Sequence, residues 1–189
     1  MSICAAQAAD KDKPFQPGPI DSYVCRTTQE GVTIATEPFD REEETRLAFG
    51  KLNPNRYGVL PVLLIMKNAG QSAISLEGMR VEYITATRQR IEATPPRDVI
   101  KSSTPGPPRV SPGPWPTPIP RTGNKKSPLN VWEIEGRAFV ARMLPPGETV
   151  SGFVYFQAPH RDGATLYITG LREASTRRDL LYYEIPLDK

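Results

Sequence analysis

The sequence predicts a mainly β protein: one antiparallel β-sandwich of seven or eight strands, with two short helices and a long Pro-rich loop. Three features predict it. Val59–Met66 is an apolar run between Gly58 and Asn68–Ala69–Gly70, and a short run of this kind with β-branched residues suits a strand buried on both faces. Met79–Ala86 alternates, with Met79, Val81 and Tyr83 on one side and Arg80 and Glu82 on the other, the pattern of a half-wet antiparallel strand. Three further strand-like segments, Glu148–Gln157, Thr165–Arg172 and Leu180–Leu187, are joined by short polar connections that suit hairpins.

From the N-terminus, Ala6-Gln7-Ala8 has the small-x-small spacing that signal peptidase cuts. Residues 1–8 are therefore expected to be the remnant of a signal peptide, the alternative being an Ala-rich cytosolic start. Residues 9–30, with Pro14, Pro17 and Pro19, read as an extended arm carrying a short strand at Ser22–Arg26. Gly31–Thr36 is a better strand, with Val32 and Ile34 on one face. Asp40–Gly50 reads as a short surface helix. Asp40 and Glu43 resemble a capping box, Glu42–Glu44 complement the helix N-terminus, Glu42 is spaced to pair with Arg46, and Gly50 closes the helix. In the apolar run, Pro61 cannot donate to a ladder. A strand start or a bulge is expected there, with regular pairing from Val62 onward. Thr87–Gln89 then turns the chain into Arg90–Thr94, completing a hairpin with Met79–Ala86.

Pro95–Pro120 holds ten prolines. The stretch Pro112–Pro120 is excluded from helix and from a paired central strand, leaving polyproline II or an extended loop. Two readings stand for it: a ligand for an aromatic-lined groove on another protein, with Trp115, Pro116, Pro118 and Ile119 as contacts, or a connection that buries Trp115 and Ile119 in its own domain. Ser127-Pro128 is a helix start, so a helix is expected from Pro128 to about Arg137, with Glu133 spaced to pair with Arg137 and Trp132 capping the core. Ala138–Leu144 stays open between helix and strand, and Pro145-Pro146-Gly147 ends the element. The C-terminal strands put Val150, Val154 and Phe156 on one face, then Leu166 and Ile168, then Leu181, Tyr183, Ile185 and Leu187. They read as a three-stranded meander. The domain is thus expected over 31–189, with a Pro-rich insertion at 95–127.

Composition narrows the chemistry. The 189 residues suit one domain, and a net charge of +3 from 24 basic and 21 acidic residues is mild. Basic and acidic residues alternate, without the basic stripe and stacking aromatics of a nucleic-acid binder. The longest apolar run is far too short to cross a membrane as a helix. Cys4 and Cys25 lack zinc spacing, and Cys25 is expected to be a buried or half-buried small residue. His160, the one histidine, sits in a loop where an exposed side chain is expected. No nucleophile elbow, Walker or dinucleotide glycine pattern occurs, and Asp98, Asp162 and Asp179 stand apart. The Glu42–Glu44 run is explained by its helix position. No catalytic, metal or cofactor-binding residue is assigned.

The runs YGVLPVLLIMKN (Tyr57–Asn68), MRVEYI (Met79–Ile84) and LPPGETVSGFVYF (Leu144–Phe156) resemble those of immunoglobulin-like sandwiches in exported, uncharacterised bacterial proteins. The resemblance implies no catalytic residues. The expected function is a non-catalytic binding or scaffolding domain of the bacterial cell envelope, periplasmic or secreted, with an unknown protein partner there, no cofactor and no nucleic acid. The alternatives are a cytoplasmic location, an enzyme with His160 or carboxylates in a cleft between the Pro-rich loop and the sandwich, and Pro112–Pro120 as a ligand for a partner.

Overall fold

The apolar run becomes the middle strand of the protein. A computed structural model describes residues 15–102 and 131–188. In chain order the strands are β1 (Arg26–Gln29), β2 (Val32–Pro38), β3 (Leu60–Asn68), β4 (Ile74–Ser75), β5 (Arg80–Ile84), β6 (Arg90–Glu92), β7 (Met143–Leu144), β8 (Thr149–Phe156), β9 (Thr165–Thr169), β10 (Arg172–Glu173) and β11 (Tyr183–Pro186). The helices are α1 (Glu42–Phe49), α2 (Pro96–Ser102) and α3 (Val131–Glu135). All three sheets are antiparallel: β1–β2–β3–β8, β11–β9–β5–β6, and a small β10–β4–β7. The excess over seven or eight strands comes from the two-residue strands β4, β7 and β10.

The two four-stranded sheets face each other across one core, where Ile34, Leu64 and Phe156 meet Tyr83, Leu166 and Ile185. The other face of the first sheet is covered too: Leu63, Ile65 and Phe153 pack with Phe49 of α1, Val99 of α2 and Ile134 of α3. The layers therefore run outer sheet, inner sheet, helices. β3 lies in the middle one, and only its Lys67 is not buried. Each fully buried Leu, Ile or Val contributes roughly 1.5–3 kcal/mol, so among the described strands this one, buried almost throughout, is the largest source of hydrophobic stabilisation.

Pro61 is accommodated without a bulge. Its carbonyl accepts from Phe39 N–H at 2.9 Å, so its backbone faces β2, where the ladder finishes at Pro38 and Val62. On the β8 side the register continues through Pro61 to Leu60. Regular pairing from Val62 onward thus holds on one side only. At the other end Asn68 is buried; its side chain donates to Ser72 O (2.8 Å) and Leu144 O (3.1 Å) and accepts from Gly70 N–H (2.9 Å). One amide ties the turn after β3 to β7.

Several local expectations are corrected. The first strand is Arg26–Gln29, not Ser22–Arg26, because Ile20–Ser22 forms a 3-10 turn that buries Ile20. Phe15, within the expected arm, packs edge-on against Phe39 at 5.6 Å. α1 has Arg41 at its N-cap and no side-chain cap, so Asp40 and Glu43 form no capping box. Glu42 pairs with Arg56 at 3.0 Å instead of with Arg46. Gly50 does close the helix, at φ 64° with its N–H on Arg46 O. α1 buries Thr45, Ala48 and Phe49 and exposes Leu47.

α2 lies inside the Pro-rich insertion, ahead of the Pro112–Pro120 stretch excluded from helix, where no helix was expected. Pro96 opens it, and proline is tolerated at that position because its missing N–H would be unpaired anyway. Trp132 does not cap the core: it is 84% exposed, while Ile134, on the inward side of so short a helix, is buried. The ion pair runs from Glu135 to Arg97, not from Glu133 to Arg137. Nor do the C-terminal strands form a meander. β8 pairs with β3, and 157–164 carry the chain to the outer sheet, where β9 sits between β11 and β5. The reason is that β8 buries both faces, Phe153 and Tyr155 on one and Val154 and Phe156 on the other, and only the inner sheet is covered twice. Leu181 is exposed, and Leu180 is buried instead.

Candidate functional site

The chain on either side of the Pro-rich insertion is fastened to the outer edge of β8. After β6 the chain leaves the outer sheet, and Thr94 N–H donates to Tyr155 O at 2.7 Å. α2 follows directly. On its return from 103–130 the chain forms α3, and then Phe153 N–H donates to Arg137 O (2.8 Å) while Phe139 N–H donates to Phe153 O (2.9 Å). The two anchors are two residues apart on one strand. Side chains reinforce them. The Tyr155 hydroxyl donates to Ile134 O at 2.8 Å in a buried setting, Arg97 pairs with Glu135 at 3.3 Å, and the Arg137 guanidinium lies 5.8 Å from the centroid of the Phe49 ring. Burial holds the Tyr155 phenol above its ordinary pKa, so it stays a donor throughout the neutral range.

Gly152 makes the second anchor possible. A Cβ there would sit 2.5 Å from Phe139 Cα and 2.7 Å from its nitrogen, because Ala138–Phe139 steps directly over β8. The step carries the chain from the helical layer, where Ala138 packs, to the inter-sheet core, where Phe139 packs. Between the two crossings lies a cleft of about 510 Å³, with Met79, Val81, Phe139 and Val154 on its apolar walls and Arg80, Glu82 and Glu92 among its polar ones.

A second constellation occupies one end of the sandwich. His160 is half-buried, not exposed as expected. Its Nδ1 lies 3.3 Å from the Tyr83 hydroxyl, which accepts from Arg161 N–H at 2.9 Å. Burial raises the Tyr83 pKa, so the phenol keeps its proton near neutrality, with His160 Nδ1 and Arg161 O (3.4 Å) both within its reach. Asp40 and His160 line two adjoining hollows of about 250 and 410 Å³, the larger also bounded by Asp162 and Asp188. Gly163 N–H donates to Asp188 Oδ2 at 2.7 Å, and the buried Cys25 thiol donates to Asp188 O at 3.3 Å. His160 thus lies beside Asp40, Asp162 and Asp188 at this end of the sandwich, apart from the cleft by β8 that Glu82 and Glu92 line. Among the described residues no group of three or more His, Cys, Asp or Glu could hold a metal ion, and no helix is long and apolar enough to cross a membrane.

The predicted contacts Trp115, Pro116, Pro118 and Ile119 lie outside the described residues, as do residues 1–14. The anchors themselves were not read from the sequence. Two signals pointed to them: a glycine within a strand, which marks close backbone approach, and Pro96 as a helix opener.

No protein-family model matches the chain, and no curated protein does either. Solved structures show a distant likeness. The yjhA protein from Bacillus subtilis is 13% identical, with 88% of this chain and 98% of that one covered and a TM-score of 0.45. A functionally unknown protein from Listeria monocytogenes EGD-e is 10% identical over 86% of this chain and 81% of its own, with a TM-score of 0.36. MPT63, a secreted protein from Mycobacterium tuberculosis, is 13% identical over 92% and 98%, with a TM-score of 0.33. Identities and scores this low carry no conclusion about function.

Proposed function

We propose that the protein is a non-catalytic binding or scaffolding domain of the bacterial cell envelope, periplasmic or secreted, whose partner contact is the Pro-rich segment with Trp115, Pro116, Pro118 and Ile119. The observation that carries this reading is the double anchor on β8. Thr94 and Arg137–Phe139, on either side of the insertion, are bonded to Tyr155 and Phe153 of one strand, so the chain leaves and returns at one place on a rigid support. Binding residues are commonly carried by loops set on such a scaffold. Polyproline II is an effective ligand because it is already extended and loses little entropy on docking.

Deletion of 112–120 tests the assignment. Capture of envelope proteins from a periplasmic extract is expected to disappear while the thermal transition of the domain stays in place. A large fall in the transition temperature would instead assign Trp115 to the domain's own core. The location is tested by fractionating cells that express the native gene, and recovery in the cytosol would refute export.

A further inference from the structure

The outer sheet buries one face and leaves the other to solvent, and that open face is not uniform. One row of side chains crosses all four strands: Glu92 is opposite Glu82, Glu82 opposite Tyr167, and Tyr167 opposite Glu184. Tyr167 therefore stands between two carboxylates. On the Glu82 side the place is taken. The Arg90 guanidinium lies 5.3 Å from the Tyr167 ring centroid and donates to Glu82 Oε2 at 3.1 Å. On the Glu184 side the same combination of aromatic ring and carboxylate recurs, with no cation on it among the described residues. The Tyr182 ring lies 5.2 Å from that of Tyr167 and Tyr182 is 53% exposed. Glu184 is exposed and has no ion pair or hydrogen bond among the described residues.

We propose that Tyr182, Tyr167 and Glu184 form a seat for an arginine or lysine side chain of a protein partner, which docks on this face as a basic extended segment. The protein's own Arg90 shows the mode of recognition, a cation held over a ring and against a carboxylate. Charge complementarity extends it. Glu92, at the far end of the row, is likewise exposed and without an ion pair among the described residues. Three strand spacings separate the two free carboxylates, on the order of 14 Å. Basic residues four apart in an extended peptide are separated by about the same distance. A sugar is less well suited, because the two tyrosine rings are tilted by 35° and offer no single flat platform. None of these residues belongs to the Pro-rich segment, so the seat goes beyond the proposed contact there.

The test is titration of the full chain, followed by NMR of its tyrosines, with a capped pentapeptide carrying arginine at both ends and threonine between, beside a peptide with glutamine for arginine. Saturable binding of the arginine peptide is expected, weakening with added salt and absent with glutamine. Tyr182→Ala and Glu184→Gln, both at exposed positions, are each expected to weaken it about two- to fivefold, and deletion of 112–120 to leave it unchanged. Four results would each overturn the proposal: no saturable binding, equal binding by both variants, binding lost on the deletion, or binding of neutral cellohexaose in place of the peptide.

Discussion

Single residues decide how this chain crosses itself. Gly152 is the clearest, since any side chain there meets the backbone of Phe139 rather than a movable side chain. Gly152→Ala is expected to cost about 1–3 kcal/mol, as overpacking does, whereas Ser151→Ala on the exposed neighbour should stay within about 0.5 kcal/mol; urea unfolding of the two variants compares them directly. Asn68 is the second such residue. Replacing it by alanine leaves Leu144 O and Gly70 N–H without the partners they have now. A loss of about 2–3 kcal/mol is expected, because unpaired buried polar groups bear their full desolvation cost. An unchanged midpoint in denaturant would show that water replaces the amide. In the sequence Gly152 falls inside the expected strand Glu148–Gln157, and Asn68 stands just past the apolar run. Neither role was visible there, because both depend on Phe139 and Leu144, which lie far along the chain.

At the scale of elements, alternation was a good guide where a strand has one wet face and a poor one where both faces are covered. The β5–β6 hairpin was legible for the first reason, since Val81 and Tyr83 point inward and Arg80 outward. β8 was placed with the wrong neighbours because its inward residues on either face look alike in sequence. α3 shows how little a five-residue element reveals in sequence: the expected helix ran on to about Arg137, whereas α3 stops at Glu135. What holds α3 down is the Tyr155 hydroxyl. Tyr155→Phe is expected to cost about 1–2 kcal/mol through the unpaired Ile134 carbonyl. It should also speed hydrogen exchange selectively in α3, and a uniform change across the sheets would instead mean that the effect is general loss of packing.

On the scale of the whole molecule, three buried tyrosines couple stability to alkaline pH. Burial, and then the charge of Glu30, pushes Tyr183 up to about 12, and burial raises Tyr83 and Tyr155 as well. A tyrosine in the unfolded chain titrates near 10. The raised folded values therefore contribute stability that is complete below about pH 10 and is lost as pH rises toward about 12. Urea midpoints measured at pH 9, 10.5 and 11.5 should fall across that window, and less steeply in Tyr183→Phe. By itself the sequence determined that the chain is mainly β, that Val59–Met66 is a core strand and that 79–94 is a hairpin, because short-range spacing of apolar residues dictates which faces are buried. Only the tertiary structure decided that the core strand lies in a sheet covered on both sides, that the chain before and after the Pro-rich insertion is bonded to β8, and that Tyr182 and Glu184 share a face with Tyr167. Those arrangements depend on which covered surfaces compete for the same apolar strand, and that competition is settled between residues far apart in the chain.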